Sequence, residues 1–368
     1  MNKTHGGNIW QIAKENTLKP EDIIDFSSSI NPLGMSPKAI AALKEIHKII
    51  PSYPEPSAFD ARQELSRFHN IPIENILAGN GSTEFIYLIP QIFKPKKTLI
   101  IEPAFSEYRN SLEICGCKVE TYPLWTDFKS VPAKMPDIEK IYLMLKNNYD
   151  LVYLGNPANP TGALLKKGAI LKIADECKKY SALLMVDEAF IDFAEEESIK
   201  KEAVERDNLI VIRSMTKFFA MAGLRFGYLI SSQKIVKNIA SFQPPWSVNT
   251  IASMAAIASL KDTNYIEDTK KWFTSESEFL FEELNSIHGL KAYPSRANYF
   301  LAEIMIEGIT SKMLYEMLLK NSIIIRDCSS FGLGESFFRT AVKGRKENTI
   351  LLEGLKKILA SQVHLFLA

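Results

Sequence analysis

Five short apolar runs in the middle of the chain constrain its architecture most: TLIIEP (98–103), LVYLGNP (151–157), ALLMVDE (182–188), LIVIRS (209–214) and GYLIS (227–231). Their apolar residues are contiguous rather than alternating, so each strand must be covered on both faces. Amphipathic stretches such as KKGAILKIADECKKY (166–180) lie between them. Strands alternating with helices in this way build a mostly parallel sheet wrapped by helices. The expectation is therefore an α/β fold whose large doubly wound domain covers residues 48–245. After FQPPWSVN (242–249), helical patterns run to about residue 286, and ANYFLAEI, SIIIRDC and FFRTAV then read as strands before a closing helix. These segments are expected to join the first 47 residues in a smaller α+β domain made of 1–47 and 246–368.

Composition narrows the partners. At 368 residues the chain exceeds one small core, and two domains are the natural expectation. A net charge of +1 gives no electrostatic basis for binding nucleic acid or an acidic membrane surface. No apolar run has the length of a signal peptide or a membrane span. The cysteines are Cys115, Cys117, Cys177 and Cys328. Their C-G-C is too tight for a zinc knuckle and no His/Cys cluster follows, so no metal is expected, and a reducing cytoplasm is the expected location.

In open α/β sheets, ligands sit at the carboxyl ends of the strands. Here those ends carry different polar groups: Asn159 in NPANPTG, Asp187 in MVDEAF, and Ser214 and Lys217 in SMTKFFAMAGLRFG, which also holds Arg225. Singly, each has an ordinary reading as a turn, a helix cap or a solvated lysine. Together they supply what pyridoxal 5'-phosphate needs. Its aldehyde condenses with a lysine amine, which Lys217 provides. Its ring nitrogen needs a buried carboxylate to stay protonated, the role of Asp187. Its phosphate needs hydroxyls, helix-start N–H groups and a cation: Ser214, Ser82 and Thr83 of GNGSTE, and Arg225. Asn159 supplies a donor to the phenolate oxygen, and Phe105 of EPAFSEY an aromatic face for the ring.

These motifs resemble the fold-type I pyridoxal phosphate enzymes of the class II aminotransferase group, which includes histidinol-phosphate aminotransferases. The resemblance covers nearly the whole chain. It is closest to one branch, the L-threonine O-3-phosphate decarboxylases of cobalamin biosynthesis, through HGGN (5–8), DFSSSINPLG (25–34), DEAFIDF (187–193), PPWSVN (244–249) and SRANY (295–299). It implies a homodimer in which Tyr53 reaches the partner's cofactor. It also implies that His5, Gly6, Asn159, Arg326 and Arg339 contact a phosphorylated amino acid. Two departures stand out. Phe190 replaces the tyrosine usual in the aminotransferases, and Ser29 replaces a substrate-contacting asparagine of the decarboxylases. With Ser29 at this substrate-binding position, phosphothreonine and phosphoserine both remain open as substrates. The expected reaction is decarboxylation to an amino alcohol phosphate for the corrinoid nucleotide loop, with Lys217 and Asp187 catalytic. Histidinol-phosphate aminotransferase is the rival. A ligand-sensing regulator on the same fold would need a DNA-binding segment, which is not expected ahead of HGGN.

Overall fold

The computed structural model describes residues 6–124 and 138–367. His5, expected to touch substrate, lies outside them. The chain divides into two compact units, one of residues 33–159 and 164–269, the other of residues 1–32, 160–163 and 270–368.

The larger unit is built on a seven-stranded sheet. Its order is Ile76–Asn80, Phe226–Ser231, Leu209–Ser214, Leu183–Asp187, Leu151–Gly155, Lys97–Glu102 and Lys118–Pro123. Only Phe226–Ser231 runs antiparallel to its neighbours. All five apolar runs became strands, and their burial explains why: Leu209–Ser214 and Phe226–Ser231 are buried at every position. Two strands were not foreseen. Ile76–Asn80 is a short run ending in glycine and asparagine, and Lys118–Pro123 is an edge strand with mixed polarity and only partial burial.

The smaller unit holds a four-stranded antiparallel sheet in the order Arg326–Asp327, Phe337–Ala341, Tyr299–Ile304 and Leu290–Ala292. A short parallel pair joins Ile24–Asp25 to Ile323–Ile324. Its core gathers Phe26, Leu284, Phe300, Leu314, Phe338 and Leu355.

The expected boundaries, 48–245 against 1–47 with 246–368, differ from this division at three places, one of them residues 160–163, which go with the smaller unit. Residues 33–47 and 246–269 belong with the large sheet. The reason is the helix Thr250–Leu260, whose buried face of Ala252, Ala255, Ala256, Ser259 and Leu260 packs on the helices Pro37–Ala42 and Phe59–His69. Small side chains let those helices approach closely, and Ser36 ties the region down by donating to Asp262 at 2.6 Å. No helix among the described residues is long and apolar enough to cross a membrane.

Candidate active site

Asp187 is the last residue of its strand and is 8% exposed. Its Oδ1 accepts the Ala189 N–H at 2.9 Å, and its Oδ2 accepts the Tyr108 hydroxyl at 2.7 Å. Burial pushes its carboxyl upward, while Tyr108, the Ala189 N–H and the charge on Lys217 pull it back. A buried carboxylate in that balance is poised to meet a cation. Tyr108 was not singled out in the sequence, although it sits three positions beyond Phe105 in the quoted EPAFSEY. Its ring stacks on Tyr153 at 5.1 Å, which fixes the hydroxyl towards Asp187.

Lys217 lies in the turn after Leu209–Ser214, half-buried between the buried Thr216 and Phe218, with its Nζ 5.9 Å from the centre of the Phe190 ring. Ser214 Oγ and Thr216 Oγ1 are 2.7 Å apart, so a second hydroxyl joins the predicted one. Phe105 is half-buried at the start of the Ser106–Ile114 helix, edge-on to Tyr108 at 5.9 Å. Asn159 is half-buried in the loop after Leu151–Gly155. That loop is shaped by Asn156, whose side chain donates to the Leu165 carbonyl at 3.1 Å and accepts its N–H at 2.8 Å.

The groups expected to bind phosphate are brought together by strand register. Gly227 pairs with both Gly79 and Ser214, which puts three neighbouring strands in line at one level. A side chain at Gly227 would come within 2.2 Å of the Ser82 nitrogen, so only glycine lets the helix start approach this strand. Gly81 has φ +75°, and a Cβ there would sit 2.6 Å from Arg225 Nη2. The Arg225 guanidinium thus lies against the first turn of the Ser82–Phe93 helix, whose leading N–H groups at Ser82 and Thr83 have no intrahelical acceptor. Backbone donors, a guanidinium and two hydroxyls form a set suited to a phosphate. With Lys217 and the buried Asp187, they fit pyridoxal phosphate.

A family model for class I and II aminotransferases matches residues 21–355. The chain belongs to that family. The family's cofactor is pyridoxal phosphate, which agrees with the residues just described. Over 362 residues the chain is 36% identical to a threonine-phosphate decarboxylase of Salmonella typhimurium, covering 98% of this chain and 97% of the relative. A solved histidinol-phosphate aminotransferase from Clostridium acetobutylicum is similar, with TM-score 0.83 and 35% identity over 90% of this chain and 98% of that one. So is a solved L-threonine-O-3-phosphate decarboxylase from Porphyromonas gingivalis, with TM-score 0.80 and 28% identity over 91% and 99%.

The residues expected to touch substrate lie partly in the smaller unit, where Arg326 and Arg339 stand directly opposite each other on adjacent antiparallel strands. Arg326 donates to Ser330 Oγ at 2.8 Å and lies over the Phe331 ring. Burial lowers its pKa, and the like charge of Arg339 adds to this. Arg339 donates to the Ser27 carbonyl at 2.6 Å and lies over Tyr299. The Asp327 carboxylate accepts from Ser311 and Ser329, and against burial those bonds and the charge of Arg326 draw its pKa down. Ser29 is buried, and its carbonyl accepts from Asn298 at 3.0 Å. Gly6 packs so closely that a Cβ would meet the Ser27 carbonyl at 2.3 Å. Asp25, not singled out in the sequence, organises this loop by accepting the N–H and hydroxyl groups of Ser27 and Ser28. An aspartate just ahead of a serine run is a turn signal that could have identified it. In the larger unit, Tyr53 is 83% exposed and packs on Trp246 at 5.0 Å between ring centres.

Proposed function

We propose that the protein decarboxylates an O-phosphorylated hydroxy amino acid, phosphothreonine or phosphoserine, to an amino alcohol phosphate. The observation that carries the choice of reaction is Phe190. It presents an aromatic ring to Lys217 where the resemblance places a tyrosine hydroxyl in the aminotransferases. The substrate class is supported by the opposed Arg326 and Arg339. Two neighbouring guanidinium groups are suited to a phosphate, which brings nearly two negative charges.

Bound at this site, pyridoxal phosphate supplies an electron sink for the bond broken at the substrate's Cα. Asp187 would keep the ring nitrogen protonated, and Arg225, Ser214 and the helix start would hold the phosphate. Arg326 and Arg339 would take the substrate phosphate, which would leave the α-carboxylate in weaker contacts. Weaker contacts at the carboxylate would favour its loss as carbon dioxide. Lys217 then returns a proton to Cα.

By resemblance, the product joins the nucleotide loop of a corrinoid. The same reading takes the active unit as a homodimer in the cytoplasm. The exposure of Tyr53 supports the first part, and the four free thiols suit a reducing compartment. Similarity to the Clostridium aminotransferase favours one competing reaction, amino transfer from histidinol phosphate. Purified holoenzyme is incubated with phosphothreonine, phosphoserine, or histidinol phosphate plus 2-oxoglutarate. Carbon dioxide and amine product from either phosphoamino acid are expected. Glutamate formation from histidinol phosphate without carbon dioxide release from the others would overturn the proposal.

A further inference from the structure

Next to the cofactor residues lies a buried ion cluster. Arg213 is fully buried, and its Nη2 donates to Asp192 Oδ1 at 2.8 Å and to Glu195 Oε2 at 2.5 Å. Its Nη1 donates to Glu195 Oε1 at 3.0 Å. Glu195 also pairs with the buried Lys200. Glu188 is buried too, accepting the Ser198 hydroxyl at 2.6 Å and the Ile199 N–H at 2.9 Å within the field of Arg213. Opposite Arg213 in the antiparallel register stands Tyr228, whose hydroxyl meets His69 Nε2 at 2.7 Å.

Taking ions out of water costs several kcal/mol each, and apolar side chains would fill the same space more cheaply. The placement of the cluster suggests what offsets this cost. Glu188 follows Asp187 in the chain, and Arg213 precedes Ser214. Successive strand residues face opposite ways, so Arg213 anchors the strand from the face opposite Ser214. Asp192 and Glu195 belong to the segment that leaves the Asp187 strand, whereas Arg213 belongs to the neighbouring strand. The guanidinium, one residue before Ser214, therefore ties the end of its own strand to the segment that follows Asp187. The Glu188 N–H, donating to the Ile212 carbonyl at 2.8 Å, extends the ladder past Asp187 in the same direction.

We propose that Arg213, gripped by Asp192 and Glu195, is a positioning residue. It fixes the ends of the 183–187 and 209–214 strands so that Asp187 and Ser214 stay in register with the cofactor. This rests on the family's cofactor binding at those residues and is independent of which reaction follows.

Holoenzyme carrying Asp192→Asn or Arg213→Lys is dialysed against graded pyridoxal phosphate, with bound cofactor read by its absorbance. Thermal midpoints are recorded alongside. Loosening the strand ends is expected to raise the cofactor Kd about tenfold. It is also expected to shift the pH midpoint of the bound cofactor's absorbance by several tenths of a unit, because the ring-nitrogen charge assigned to Asp187 acts on the imine proton that this absorbance reports. A lower thermal midpoint with cofactor Kd within about twofold of wild type and an unmoved pH midpoint would make the cluster purely structural and overturn the proposal. Should Arg213→Lys fail to fold, Asp192→Asn decides alone, since it keeps the volume and most of the hydrogen bonding. Wild-type protein that takes up no pyridoxal phosphate would instead defeat the cofactor assignment itself.

Discussion

Replacing Asp187 with asparagine isolates the charge at the ring nitrogen. The substitution keeps the side-chain volume, and the amide oxygen can still accept the Ala189 N–H now held at 2.9 Å. The fold and phosphate site should therefore survive. What is lost is a full negative charge, 8% exposed, which under the proposed role would face the cofactor's cationic ring nitrogen. Two unit charges about 3 Å apart at an effective dielectric near 20 attract by about 5 kcal/mol. The amide dipole retains part of that attraction. The expected loss in the transition state is about 3 kcal/mol, roughly a hundredfold in rate. Tyr108→Phe removes one hydrogen bond to the same carboxylate and is expected to cost about tenfold. The assay is carbon dioxide release at saturating cofactor, with cofactor occupancy checked by absorbance. Lys217→Ala, which should keep the cofactor by its phosphate contacts but lose the covalent link, sets the floor. Asp187→Asn turning over within about threefold of wild type while fully loaded would show that the carboxylate does not face the ring nitrogen.

Arg326→Ala or Arg339→Ala should weaken inhibition by phosphate-bearing product amines, which have no carboxylate. Unchanged amine affinity with weakened phosphoamino acid binding would move the arginines to the carboxylate. Ser29→Asn should shift the ratio of kcat/KM for phosphothreonine and phosphoserine by about 1–3 kcal/mol, and a constant ratio would remove this buried position from the specificity pocket. Burial holds Lys200 down at about 7, with Arg213 adding to it. The unfolded chain therefore binds more protons between pH 7 and the ordinary lysine range, and this group makes stability rise with pH there, by at most about 1.4 kcal/mol per unit. Urea midpoints of wild type and Lys200→Met at three pH values across that window should diverge accordingly, and parallel curves would place the titration elsewhere.

Much of this site was legible because its chemistry is local in sequence. Lys217, Ser214 and Asp187 each sit at or just past the end of an apolar run, and the carboxyl ends of such strands are where a doubly wound sheet gathers its ligands. Contiguous apolar residues were enough to expose five strands, since burial on both faces leaves no room for polar alternation. Tertiary structure decided the rest, because those features depend on which segments pair. The reversed direction of Phe226–Ser231 puts Gly227 level with Gly79 and Ser214, and so brings Arg225 against the helix start at Gly81. Nothing within either segment specifies that partner. Tyr108 became a partner of Asp187 only through stacking on a neighbouring strand's Tyr153. The unit boundary moved because a small-residue helix found its complement some two hundred positions earlier in the chain. Arg213 reads in the sequence as one charge ending an apolar run; its burial is tolerable only because folding delivers Asp192 and Glu195 to its guanidinium.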